Sequence, residues 1–137
     1  GRPRCGHLLY LADRKIRRLI GSVGRPSGAK GETRMITEIV TFKLPDGMTR
    51  EEAAANFEKT APGWRANPDL IRKNYLVDAK NGVGGGVYLW KERAHAEKWH
   101  GEEFRKKVKE IYGSEPKSQF FDTPIVVDNI AGEIVKD

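Results

Sequence analysis

The sequence predicts an α+β domain of the ferredoxin-like type, its elements running β-α-β-β-α-β. Three observations carry this. Residues 36–44, ITEIVTFKL, alternate like a strand. A glycine-rich run, AKNGVGGG, separates two further strand-like segments and favours a hairpin. Two segments of helical periodicity, each with its own start or stop signal, flank that hairpin. A chain of 137 residues suits one domain and is long enough to bury a core.

In the first strand, Ile36, Glu38, Val40, Phe42 and Leu44 share one face, and Thr37, Ile39, Thr41 and Lys43 the other. Both faces are partly apolar, as in an interior strand. Pro45-Asp-Gly47 ends it. Thr49-Arg-Glu-Glu52 then has the form of a capping box, with Thr49 as N-cap and Glu52 reaching back. Ala53, Phe57, Ala61 and Trp64 make an apolar stripe, and Pro62-Gly63 is expected to close the helix near Ala61. Pro68 opens a second strand over about residues 70–79. The glycines then turn the chain into VYLW, the third strand. A second helix is expected from Arg93 to Tyr112, bent at Gly101, with Gly113 in the left-handed position that ends it. The last strand is expected over residues 118–128. Pro124 lacks an N–H donor, which puts this strand at an edge or on a bulge. Right-handed crossovers give the antiparallel order 4-1-3-2. A single helix layer covers one face of such a sheet, so the other face is expected to meet a second copy of the chain.

The net charge of +6 is unevenly spread. Residues 1–34 hold nine Lys and Arg against Asp13 and Glu32, whereas residues 35–137 hold sixteen against seventeen acids. The basic character belongs to the extension, and the remainder gives no electrostatic reason to expect nucleic acid. Met35 reads as the start of the domain, residues 35–137, with 1–34 a basic extension and linker. Two readings of that extension stay open: sequence upstream of the native start, or a native segment. It lacks the apolar core and cleavage site of a signal peptide. LLYLADRKIRRLI could form a basic amphipathic helix, but membrane contact through residues 8–20 is not expected. No run approaches the roughly 18 apolar residues of a membrane span. The single cysteine, Cys5, suits a reducing cytoplasm.

The stretch NGVGGGVYLWKERAHAEKWHG admits several chemistries. A phosphate cradle needs a glycine loop leading into a helix N-terminus, and here the glycines lead into a strand. His95 and His100 are five residues apart, about 140° around a helix, and cannot share an ion as an i,i+4 pair could. Glu97-x-x-His100 has no second copy to build a di-iron site, so no metal is expected. No Gly-x-Ser-x-Gly motif is present. An apolar pocket remains. Ala96, His100, Phe104, Val108 and Ile111 follow one helical line, with Trp99 beside it. Phe57 and Trp64 come from the first helix, Lys73 and Tyr75 from the second strand, and Tyr88 and Trp90 from the third. Large amphipathic rings with one or two titratable groups suit a small aromatic ligand. A plain hydrophobic core with a satisfied histidine explains the same pattern.

GGGVYLWKERAHAEKW, followed by IYGSEPKSQFFDTPIVVDN and preceded by NPDLIRKNYL, resembles the YdhR-type monooxygenases of the dimeric α+β barrel superfamily, which includes the antibiotic-biosynthesis monooxygenases. The resemblance covers roughly residues 36–132. It implies a homodimer, a pocket between helices and sheet, and oxygenation of a small aromatic or polycyclic molecule by O2. A deprotonated phenol or anthrone can itself donate an electron to triplet O2, so no cofactor is expected. The expected catalytic groups are His100, then His95, as base, and Lys73 as stabiliser of the anion. Tyr75, Trp64, Trp90, Tyr88, Trp99 and Phe57 are expected to contact the substrate. Related haem-degrading members use an asparagine on the first strand, and none stands there here. The alternative is a non-catalytic small-molecule-binding or stress-response protein of the same fold.

Overall fold

The computed structural model describes residues 34–137. The expectations placed on residues 1–33, including the amphipathic helix, lie outside the described residues. Strand β1 (Ile36–Lys43) is followed by helix α1 (Arg50–Arg65), strands β2 (Leu70–Asp78) and β3 (Val83–Trp90), and helices α2 (Arg93–Trp99) and α3 (Glu102–Tyr112). Strands β4 (Lys117–Asp122), β5 (Ile125–Asp128) and β6 (Glu133–Lys136) complete it. The main sheet has order β2-β3-β1-β4, which is the expected 4-1-3-2, and all its pairings are antiparallel.

Helix α1 starts as its sequence dictates. The Thr49 side chain accepts from the Glu52 amide at 3.1 Å, and the Glu52 carboxylate accepts from the Thr49 amide at 2.9 Å. The helix does not stop at Ala61; it carries Pro62 inside it and ends at Arg65. A proline this near the C-terminus removes one N–H and leaves the last turn intact, since Ala66 N–H still reaches the Pro62 carbonyl at 3.1 Å. The extra turn brings Trp64 over the sheet. The expected second helix is two helices, broken at His100-Gly101. Gly113 ends α3 in the left-handed conformation, φ 79°.

Two strand expectations need correction. Of the glycines in this run, only Gly82, φ 67°, lies in the turn. The loop is residues 79–82, held by two hydrogen bonds from Asn81 to the Asp78 carboxylate, and Gly84, Gly85 and Gly86 lie within β3. The last segment is not one strand. It breaks at Thr123-Pro124, and β5 leaves the main sheet to pair with β6 in a separate hairpin. Proline cannot donate to the ladder, so the change of partner falls there. Arg72 and Asp128, 2.9 Å apart, tie this hairpin to β2, and Val126 and Val135 pack, as Leu89 does, against Met35 and Ile71.

The core lies between the helices and one sheet face: Val40, Phe42, Leu44, Ala53, Phe57, Tyr88, Trp90, Ala96, Val108 and Tyr112. Tyr112, stacked on Phe42 at 4.4 Å, fills the place expected of Ile111, which is half exposed. A bulge in β2 sets which side chains face this core. Leu70 pairs with Trp90, but Arg72 already pairs with Leu89. The extra residue, Ile71, drops to the opposite cluster. Leu70, Lys73, Tyr75 and Val77 therefore all face the helices.

Candidate functional site

Between the helices and the sheet lies a cavity of about 630 Å3, a size suited to a small organic molecule. Helix α1 contributes Phe57 and Trp64, β2 contributes Lys73 and Tyr75, β3 contributes Tyr88, and α2 with α3 contribute Trp99, Phe104 and Val108. The rings brace one another. Phe57 stacks on Tyr75 at 4.7 Å, and Trp64 meets Tyr88 edge-on at 5.3 Å. The Tyr75 hydroxyl is 2.7 Å from that of Thr60. Burial pushes the Tyr75 phenol upward, against the pull of that hydrogen bond. Burial also pushes Tyr88 up, with nearby Tyr75 and Glu38 adding to it. Both phenols therefore stay neutral across physiological pH.

Among the titratable groups of this wall, Lys73 is shifted toward neutrality. Its Nζ lies 3.7 Å from the Tyr75 ring centroid, 4.5 Å from Tyr88 and 4.7 Å from Trp64. Desolvation, with no charged neighbour contributing, lowers its pKa from 10.5 to about 7. The three ring faces attract the ammonium and oppose part of that shift. Lys73 can thus exist in both protonation states near neutrality. Its stem crosses Gly86, where an added Cβ would come 3.0 Å from Lys73 Cε and 3.1 Å from the Tyr88 ring.

A second polar group sits one layer deeper. Glu38, on the core face of β1, is fully buried. Its Oε1 accepts from Trp90 Nε1 at 3.0 Å and lies 2.6 Å from His100 Nδ1. That contact requires a proton between nitrogen and oxygen, and it fixes the orientation of the imidazole ring. Glu38 Oε2 and His100 Nε2 are both buried without a hydrogen-bond partner. The His100 ring touches Phe104 at 4.1 Å, Tyr88 at 4.3 Å and Trp64 at 5.4 Å, three residues that line the cavity.

The structure thus brings six of the nine expected residues onto one cavity wall: Phe57, Trp64, Lys73, Tyr75, Tyr88 and Trp99. His100 and Trp90 stand behind the wall, joined through Glu38. His95 lies elsewhere, half-buried on α2, its Nε2 3.5 Å from Asp69 and 3.8 Å from Glu92. Sequence reasoning did not nominate Glu38, Thr60 or Tyr112. Glu38 had a legible signal, as the one acid among the apolar residues of its strand face. Among the described residues no group of three His, Cys, Asp or Glu is gathered as a metal site. Chemically, the arrangement can hold a flat apolar body, take up one proton at Lys73, and stabilise the resulting anion beside an ammonium.

A family model described as "Putative mono-oxygenase ydhR" matches residues 39–126 of this chain, more than half of its length. No curated protein matches it. Among solved structures, a monooxygenase from the gene ActVA-Orf6 of Streptomyces coelicolor, in complex with nanaomycin D, is 13% identical with TM-score 0.52. That match covers 71% of this chain and 94% of the other. A "putative antibiotic biosynthesis monooxygenase" from Caulobacter crescentus is 17% identical with TM-score 0.51, covering 67% and 92%. A conserved protein of unknown function from Bacteroides thetaiotaomicron is 14% identical with TM-score 0.51, covering 66% and 99%. At these identities the likeness is one of fold.

Proposed function

The chain belongs to the YdhR mono-oxygenase family, and from that premise we propose that it oxygenates a small, flat aromatic substrate with O2, using neither flavin nor metal. The observation that carries this reading is Lys73: a desolvated amine, walled by three aromatic rings, on a cavity of suitable size. Phe57, Trp64, Tyr75, Tyr88 and Trp99 hold the substrate's faces. Neutral Lys73 takes a proton from a phenol or an anthrone-like CH2, and the ammonium pairs with the anion. The anion passes one electron to O2, and the superoxide and substrate radical combine to form a C–O bond. Loss of water from the resulting hydroperoxide leaves a ketone. One oxygen atom enters the product, the other leaves as water, and the CH2 carbon supplies the electrons. His100, its Nδ1 held by Glu38, supplies a second proton site behind the wall. His95 takes no part in this scheme.

The test is oxygen uptake with anthrone or a hydroxynaphthoquinone, at varied pH. Wild-type protein is expected to consume O2 with product formation, with kcat/KM rising as pH passes about 7 and Lys73 loses its proton. Lys73→Met is expected to lower kcat/KM about 100-fold or more while substrate still binds. Saturable binding without any oxygen uptake would support the non-catalytic binding protein instead.

The same proposal includes a homodimer. Val127, Ile130 and Ile134 of the β5–β6 hairpin are each at least 60% exposed, and Phe121 is half exposed on the sheet face away from the helices. A second copy would cover this surface. Cys5, the single cysteine, fits a reducing cytoplasm, and no helix among the described residues is long and apolar enough to cross a membrane.

A further inference from the structure

We propose that Lys73 also condenses with carbonyl compounds, taking an aryl aldehyde or aryl ketone in the cavity as a covalent iminium adduct. The inference rests on the cavity and the lysine's surroundings. It does not depend on oxygen chemistry and holds equally for a protein that only binds.

The geometry is that of a guided amine. The Lys73 stem lies over Gly86, whose missing side chain leaves it room, and its Nζ sits among Tyr75, Tyr88 and Trp64. An amine must be neutral to attack a carbonyl carbon, and desolvation in an apolar pocket favours that form. The product is the opposite in charge. An iminium is a cation at the same nitrogen, and the three ring faces that attract an ammonium attract it too. Desolvation thus keeps the amine neutral for attack, and the ring faces offset part of the same desolvation cost once the adduct is cationic. The other lysines on the cavity, Lys59, Lys98 and Lys107, are exposed. Of these, Lys98 has a ring contact, to Trp99 alone at 5.1 Å.

The step balances without a redox partner. The amine nitrogen bonds to the carbonyl carbon, breaking the C–O π bond, and the proton that nitrogen gives up passes to the carbonyl oxygen, giving a carbinolamine. That oxygen then leaves as water with a further proton, and the C=N bond forms. In sum, aldehyde, amine and one proton give iminium and water. A flat aryl group on the carbonyl compound fits the ring-lined space, and a linear aliphatic aldehyde leaves most of it unfilled.

The full chain is incubated at pH 7 with naphthalene-2-carbaldehyde and sodium cyanoborohydride, which reduces an iminium to a stable amine. Peptide mapping by mass spectrometry then locates the label. Lys73 is expected to be labelled about tenfold faster or more than any other lysine, and 2-methoxynaphthalene, of similar shape but without a carbonyl, to suppress that labelling. Lys73→Arg is expected to remove the fast phase. Trp64→Leu, which keeps the amine and removes one ring, is expected to slow it. Labelling spread evenly over the lysines, or a wild-type Lys73 peptide left unlabelled, overturns the proposal. Wild-type mapping decides this even where a variant fails to fold. Oxygen uptake without selective trapping would remove the adduct and leave the oxygenase reading standing, and trapping without uptake would do the reverse.

Discussion

Lys73 places an amine where water is scarce, and the cost of doing so has a pH signature. Its pKa is 10.5 in the unfolded chain and about 7 in the folded one. Between these values the unfolded chain binds a proton that the folded chain releases, so this group's contribution to stability rises with pH through that interval. The contribution is fully restored above pH 10.5 and fully lost below about 7. Lys73→Met keeps the bulk of the side chain and removes the titration. We expect the variant to be more stable than wild type by about 1–3 kcal/mol at pH 6, with the difference shrinking as pH rises to 10. Urea unfolding at both pH values measures this, and equal differences at the two would refute the assignment. Glu38 presents a different case. Its carboxylate is fully buried, but Trp90 and His100 both bond to one of its oxygens. Removing one partner of such a group leaves the others unpaired in the core.

At the scale of elements, β2 and β3 form the cavity floor beneath the helices. Three consecutive glycines weaken a strand by propensity alone, yet here they lie within β3 because the neighbouring chain leaves no space for side chains. At Gly85 an added Cβ would collide with the Val40 carbonyl oxygen, a clash too close for the backbone to relieve by small shifts. Gly85→Ala is expected to cost about 3 kcal/mol or more, read as a lowered melting temperature or loss of soluble protein. Wild-type stability in that variant would mean that β1 and β3 can separate more easily than their register indicates. The bulge at Ile71 acts in the same service. Simple alternation from Leu70 would point Arg72 and Asn74 at the helices. The inserted residue instead gives that face to Leu70, Lys73 and Tyr75.

At the scale of the whole molecule, one helix layer and one sheet leave a side to be covered. The β5–β6 hairpin packs on part of it through Val126 and Val135 and turns Ile125, Val127 and Ile134 outward, each more than half exposed. An apolar surface of this kind favours association. Light scattering is expected to give twice the chain mass for the wild type, and the mass of a single chain for the double variant V127K and I134K, with circular dichroism unchanged. A wild-type monomer at micromolar concentration would refute the homodimer.

Local signals alone were enough for much of this protein. The alternation of residues 36–44, the Thr49–Glu52 box and Gly113 each specify their element through contacts within a few residues. The order of those elements, with the handedness rule, then leaves few topologies. Phe57, Trp64 and Phe104 were legible because the helical period places them on inward faces, and Tyr88 because the strand period does so, whereas Tyr75 reaches the cavity only through the bulge at Ile71. Tertiary structure decided what depends on residues far apart in the chain. The extension of α1 past Pro62, the transfer of β5 out of the sheet and the pairing of Glu38 with His100 are such cases. So is the separation of His95 from the cavity that Lys73 faces. Each turns on which surface lies opposite, and that is set by the packing of distant segments, for which a single sequence carries no local signal.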